Sequence, residues 1–175
     1  EFSTRPDTTW NVAYTWGMYN RQNNVLQPNP ATFKFLETVF HEVAELFPSA
    51  YFHLGGDETS KMWWKADSVS QAFIKDHNLK DEKGLQTYLV EQVAGYLAAK
   101  GKKVIGWHEI LEGDLSTSTL IMNWGGEKEG IAAATRGHQV IMSPGKPLYF
   151  DHYQSKDPHD SLAIHGYNPV DAVYA

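Results

Sequence analysis

Apolar residues recur at intervals of three and four through Phe33, Leu36, Phe40, Val43, Ala44 and Phe47. That spacing predicts an amphipathic helix, opened by Asn29-Pro30 with proline at its first position and stopped by Pro48. A second stripe, Leu85, Tyr88, Leu89, Val93, Tyr96 and Leu97, predicts another helix ended by Gly101 as the left-handed residue past its C-terminus. Met62 to about His77 reads as a less regular helix, and Glu127 to Arg136 as a short alanine-rich one ended by Gly137. Short apolar runs bounded by turn residues predict strands near 51–55, 103–107, 120–124 and 139–143. Residues 1–29 and 143–154 lack periodicity and read as long loops, and the late "NPVDAVYA" reads as the start of a further helix.

Helices alternating with strands predict a parallel sheet with helices packed outside it. The polar and aromatic residues then fall at the C-terminal end of each strand: Asp57-Glu58, Trp107-His108-Glu109, Trp124, and Tyr149 with Asp151. A doubly wound sheet collects ligands at one switch point, whereas a (β/α)8 barrel places chemistry at every strand end. The expected fold class is therefore α/β of the (β/α)8 TIM-barrel type, with about four central-to-late β/α units in residues 1–175.

Composition narrows the function classes. With 175 residues and 42% hydrophobic content the chain suits one domain with a real core. A net charge of −6 without a basic block argues against nucleic acid as a main partner. No apolar run approaches the ~18 residues of a membrane span, and the absence of cysteine excludes disulfides and thiol catalysis. The chain has neither an initial Met nor a signal peptide, so an excised or processed piece is expected. Aromatics reach 13%, and Trp10, Trp16, Trp107, Trp124, Tyr149 and Tyr153 stand among polar residues. Rings beside carboxylates and amides suit sugars, whose C–H faces stack while their hydroxyls take hydrogen bonds. His152, His159 and His165 fit no tight ligand spacing, so no metal is expected, and no glycine loop points to a nucleotide cofactor.

The stretch "YFHLGGDETS" sets two acids side by side after a strand. Successive strand residues face opposite ways, so Asp57 and Glu58 share a pocket only if the backbone leaves strand geometry. Gly55-Gly56 supplies that freedom. The plainer alternative is a flexible turn with solvated acids.

"YFHLGGDET" resembles the signature of family 20 glycoside hydrolases, the β-N-acetylhexosaminidases, and the similarity continues in order through "ELFPSAYFHLGGDE", "GKKVIGWHEIL", "IMNWGG" and "SPGKPLYFDHYQ". The resemblance implies hydrolysis of terminal β-linked N-acetylglucosamine or N-acetylgalactosamine from glycans, with retention. It implies that Glu58 is the general acid/base and that Asp57 orients the substrate's own 2-acetamido group, which attacks the anomeric carbon and forms an oxazolinium. Tyr149 then hydrogen-bonds the acetamido oxygen, Trp107 and Trp124 wall the sugar, and Asp151 binds its hydroxyls. His53 is expected to point into the barrel and hold neighbours, Glu109 to support the site from behind, and His108 to have no catalytic role. The family also carries an upstream arginine that grips the sugar and, on its last strand, a Trp-x-Glu motif; neither of those segments is expected within this chain. Exposed barrel edges then imply a homo-oligomer for the isolated piece. The alternatives are an inactive sugar-binding fragment of such an enzyme, and a metal-dependent hydrolase using His53 and Asp57. Relatives commonly act on exported or extracellular glycans.

Overall fold

The computed structural model describes residues 25–174; the expected loop before residue 25, with Trp10 and Trp16, lies outside them. Helix α1 (Pro30–Leu46) begins where the Asn29 side chain accepts the Thr32 backbone N–H at 2.9 Å, a side-chain cap for an otherwise orphaned donor. Strand β1 (Tyr51–His53) follows. The irregular segment from Met62 divides into α2 (Met62–Ala66) and α3 (Ser68–Asp76) rather than forming one helix. The break falls at Asp67, which adopts extended geometry and caps α3 by accepting from Ser70 N at 2.8 Å. Then come α4 (Glu82–Ala98), β2 (Lys103–Trp107), a 3₁₀ turn at His108–Glu112, β3 (Leu120–Asn123), α5 (Glu127–Thr135) and β4 (Val140–Met142). Gly101 and Gly137 have φ of +71° and +89°, as the predicted helix ends require. The loop after β4 contains a helical turn at Gly145–Leu148, and "NPVDAVYA" makes a 3₁₀ turn at Val170–Val173 instead of a helix.

The four strands are parallel in the order β1-β2-β3-β4, with His53 opposite Ile105, Trp107 opposite Met122 and Met122 opposite Ile141. Regular pairing is shorter than the predicted 51–55, 120–124 and 139–143, yet backbone hydrogen bonds run on past it. Trp107 N donates to Gly55 O at 2.9 Å and Gly145 N to Trp124 O at 2.8 Å. The loops at the C-terminal ends are thus tied to the sheet while free of its pleat.

Alternation gives the sheet two unlike faces. Phe52, Val104, Ile121 and Val140 point to the helices. Val104 packs with Ala44, Val93 and Leu97, and Ile121 with Ile110, Leu115 and Ala133. A third cluster, Trp64, Ile74 and Leu85, joins α2, α3 and α4. The opposite face carries His53, Ile105, Trp107, Met122 and Ile141, none of which is fully buried. This is the layering of a barrel segment, with helices outside and a partly polar, aromatic inner face.

Candidate active site

At the end of β1 the chain turns through Gly55 at φ +73°, Gly56 at +94° and Glu58 at +46°. Left-handed backbone at a non-glycine residue persists only where its surroundings impose it. Glycine is compulsory at residue 56 for a second reason: a Cβ there would stand 2.3 Å from Ile110 Cγ2. Ile110, only 1% exposed, is wedged between this loop and β2, where a Cβ on Gly106 would meet its Cδ1 at 2.4 Å. His53 Nδ1 accepts the Gly55 N–H at 3.0 Å, which fixes Nδ1 as the unprotonated nitrogen. Its ring meets Trp107 edge-on at 4.7 Å. Partial burial pushes the imidazole below its ordinary value, and the Asp57 charge only partly offsets this.

The loops after β2, β3 and β4 converge on Tyr149. Glu109 accepts the Trp124 indole N–H through both carboxylate oxygens, at 3.0 and 3.2 Å. His108 lies beside them, Nδ1 3.3 Å from Glu109 Oε2, its ring 5.6 Å from Trp124. Burial raises the Tyr149 phenol above its ordinary value, and the negative charges of Asp151, Asp57 and Glu109 raise it further. Tyr149 is therefore held as a neutral O–H donor among three carboxylates. A cleft of about 410 Å³ opens there, bordered by Trp124, Lys146, Tyr149, Asp151, His152 and His165.

The family profile described as "Glycosyl hydrolase family 20, catalytic domain" matches residues 1–175. The chain belongs to glycosyl hydrolase family 20. It is 47% identical to a beta-hexosaminidase of Porphyromonas gingivalis over 91% of its length and 35% identical to one of Vibrio furnissii over 87%. It spans 20% and 25% of those two relatives' own lengths. Among solved structures it resembles the exo β-N-acetylglucosaminidase of Vibrio harveyi in complex with N-acetylglucosamine. That match has TM-score 0.79 and 29% identity, over 86% of this chain and 24% of that one. The Flavobacterium johnsoniae chitobiase matches with TM-score 0.65 and 42% identity, over 71% of this chain and 20% of that one. The four-stranded sheet is a part of the family's TIM barrel.

Within this family 20 segment the expected site residues separate into two groups. Trp124, Tyr149 and Asp151 border one cleft, Glu109 holds the Trp124 indole, and the charges of Asp57 and Glu109 reach the phenol. His53 and Trp107 form a neighbouring pair on the inner sheet face, linked to the first group by Asp57. Glu58 is exposed, and among the described residues its side chain makes no hydrogen bond or ion pair. Of the loop histidines, His152 and His165 have rings 6.1 Å apart. Among the described residues no three His, Asp or Glu side chains are grouped to hold a metal ion, and no helix is long and apolar enough to cross a membrane.

Three residues escaped sequence reasoning, all buried carboxamides: Gln86 at 5% exposure, Asn123 at 0% and Asn168 at 3%. Each serves one loop. Gln86 Nε2 donates to Gly56 O at 2.8 Å and to Thr59 Oγ1 at 3.0 Å. Asn123 donates to Gly126 O at 2.7 Å and accepts from Gly125 N at 3.0 Å, bracing the loop that carries Trp124. Asn168 Nδ2 donates to Pro147 O at 2.9 Å and to Tyr149 O at 2.7 Å. A polar residue on the helix-facing side of a buried strand was a legible signal for Asn123. Gln86, beside Leu85 in an apolar stripe, and Asn168, in an aperiodic tail, offered none.

Proposed function

We propose that this protein, at its natural full length, removes terminal non-reducing β-linked N-acetylglucosamine or N-acetylgalactosamine from glycans, with retention, using the substrate's acetamide as nucleophile. The observation that carries the reading is the convergence of Tyr149, Asp151 and the Glu109-held Trp124 on one cleft, where the charge of Asp57 also raises the phenol. An acetamide has one N–H to give and one C=O to be given to. Asp57 can accept the first and Tyr149 can donate to the second, which aims the carbonyl oxygen at the anomeric carbon.

In the first half-reaction that oxygen bonds to the anomeric carbon as the glycosidic C–O bond breaks. The departing electron pair takes a proton from Glu58, and the Asp57 carboxylate stabilises the positive charge on the oxazolinium nitrogen. In the second half, Glu58 takes a proton from water, the water oxygen bonds to the anomeric carbon, and the ring C–O bond breaks to restore the acetamide. Trp107 and Trp124 wall the sugar, with Glu109 holding the Trp124 indole by its N–H. Asp151 binds hydroxyls, and His53 props Trp107 and the start of the acid loop. The names of the P. gingivalis, V. furnissii and V. harveyi relatives support this reading.

The test uses the full-length protein and a nitrophenyl N-acetylglucosaminide. Glu58→Gln and Tyr149→Phe are each expected to lower kcat by about 10²-fold or more. Replacing the substrate's acetyl by trifluoroacetyl weakens its carbonyl nucleophile and should slow turnover strongly. A trifluoroacetyl substrate hydrolysed at the normal rate would remove the substrate-assisted route. Residues 1–175 alone are expected to be inactive, because the sugar-gripping arginine and the last-strand Trp-x-Glu implied by the family are not supplied by this segment.

A further inference from the structure

We propose that Gln86 is the positioning residue of the Asp57–Glu58 pair; the inference rests on the acid roles proposed above. Its amide nitrogen bridges the residues on either side of the pair, Gly56 through the backbone carbonyl and Thr59 through the hydroxyl. The Thr59 hydroxyl in turn donates to Asp57 O at 3.4 Å. A carbonyl oxygen only accepts, so the nitrogen end of the Gln86 amide must face Gly56 and the oxygen end must face Lys61. Lys61 Nζ does donate to Gln86 Oε1, and it also pairs with Glu112 Oε2 at 3.2 Å, while Lys83 contacts Glu112 Oε1 at 3.6 Å. The orientation of this buried α4 side chain is thereby set from both ends, by Lys61 at its oxygen and by Gly56 and Thr59, on either side of the acids, at its nitrogen.

The loop needs such a device. Glu58 is exposed, and among the described residues its side chain has no bond of its own, so its place is set by the backbone of residues 56–59. That backbone is left-handed at Gly56 and at Glu58, a conformation that requires external support. Ile110 blocks collapse from one side, and the Gln86 bridge prevents the loop from lifting away. A proton donor displaced by about 1 Å loses on the order of 10²-fold in rate.

The experiment compares wild type, Gln86→Glu and Gln86→Met in the full-length protein on two N-acetylglucosaminides, one with a nitrophenol leaving group and one with an alkyl alcohol. Gln86→Glu keeps an acceptor for Lys61 but sets a charged acceptor against the Gly56 carbonyl, whereas Gln86→Met removes the donor without adding charge, so each guards against the other failing to fold. A misplaced proton donor matters most when the leaving group is poor. The quantity read is kcat/KM, which covers only the steps through glycosidic cleavage because hydrolysis of the shared intermediate is the same for both substrates. Expected losses are about 100-fold on the alkyl glycoside and about tenfold or less on the nitrophenyl one. Equal losses on both substrates per folded molecule, as a merely structural residue would give, overturn the proposal, and so does full activity. Glu58→Gln separates the two inferences. If it too shows no leaving-group selectivity, the assignment of Glu58 as acid fails and the Gln86 proposal falls with it. If it is selective while both Gln86 variants are not, only the Gln86 proposal is overturned.

Discussion

Replacing Gly56 with alanine inserts one methyl group into the tightest point under the acid loop. The new carbon would stand 2.3 Å from Ile110 Cγ2, against about 3.5–4.0 Å for a relaxed carbon–carbon contact. Ile110 is 1% exposed and cannot swing into solvent, so backbone or core must give way. Overpacking of this kind costs about 1–3 kcal/mol, and a left-handed φ of +94° at a residue with a Cβ adds about 1–2 kcal/mol. The expected loss is therefore about 2–5 kcal/mol, a large part of the roughly 5–15 kcal/mol that holds a domain folded. Urea unfolding at constant slope reads it as a lowered midpoint. The cause is isolated by a double-mutant cycle with Ile110→Ala, which alone should cost about 2–5 kcal/mol through its cavity. In the double variant the new methyl occupies part of that cavity, so the combined loss should fall short of the sum by about 1–3 kcal/mol. Additivity within about 0.5 kcal/mol would refute the contact argument. A Gly56→Ala loss below about 1 kcal/mol would refute the backbone argument as well.

Asn168→Ala removes the donor shared by Pro147 O and Tyr149 O. Hydrogen exchange at residues 148–153 should quicken while that of β1–β3 is unchanged; protection retained in that loop would contradict the assigned role. Asp151→Asn removes one of the charges that, after burial, hold the Tyr149 phenol up, so its titration should move down toward the ordinary tyrosine range. NMR of ring-labelled tyrosine reads this, and an unmoved resonance would show that Asp151 does not act on Tyr149. His53 has a folded-state value below its unfolded one, so the unfolded chain binds protons first as pH falls. The stability associated with neutral His53 is present above about pH 6.5 and is lost as pH falls below it. His53→Gln should flatten that part of the urea-midpoint profile, and an unchanged slope would reject the assignment.

Much of the architecture was legible along the chain because it depends on neighbours in sequence. Asn29-Pro30 caps and opens α1, the Leu85–Leu97 stripe makes α4, and Gly101 and Gly137 end helices with the left-handed φ that only glycine adopts cheaply. The parallel order of the strands follows from their alternation with helices. Gly55-Gly56 likewise announced that the acid pair leaves strand geometry, and the φ angles agree. Local pattern failed where a local choice met a distant partner. Asp67 split a helix by turning its carboxylate to Ser70 and to Gln27, a residue 40 positions away. The two acids are both exposed yet differ in reach: the charge of Asp57 is felt at His53 and Tyr149, while the Glu58 side chain has no hydrogen bond or ion pair among the described residues. Only tertiary packing decides this. The groups that hold the loops, Ile110 from below and the amides of Gln86 and Asn168 from the side, reach their partners across 19 to 54 residues of chain. Periodicity records which face of an element is apolar, but a single buried amide acquires its meaning only from the carbonyl that folding brings opposite it.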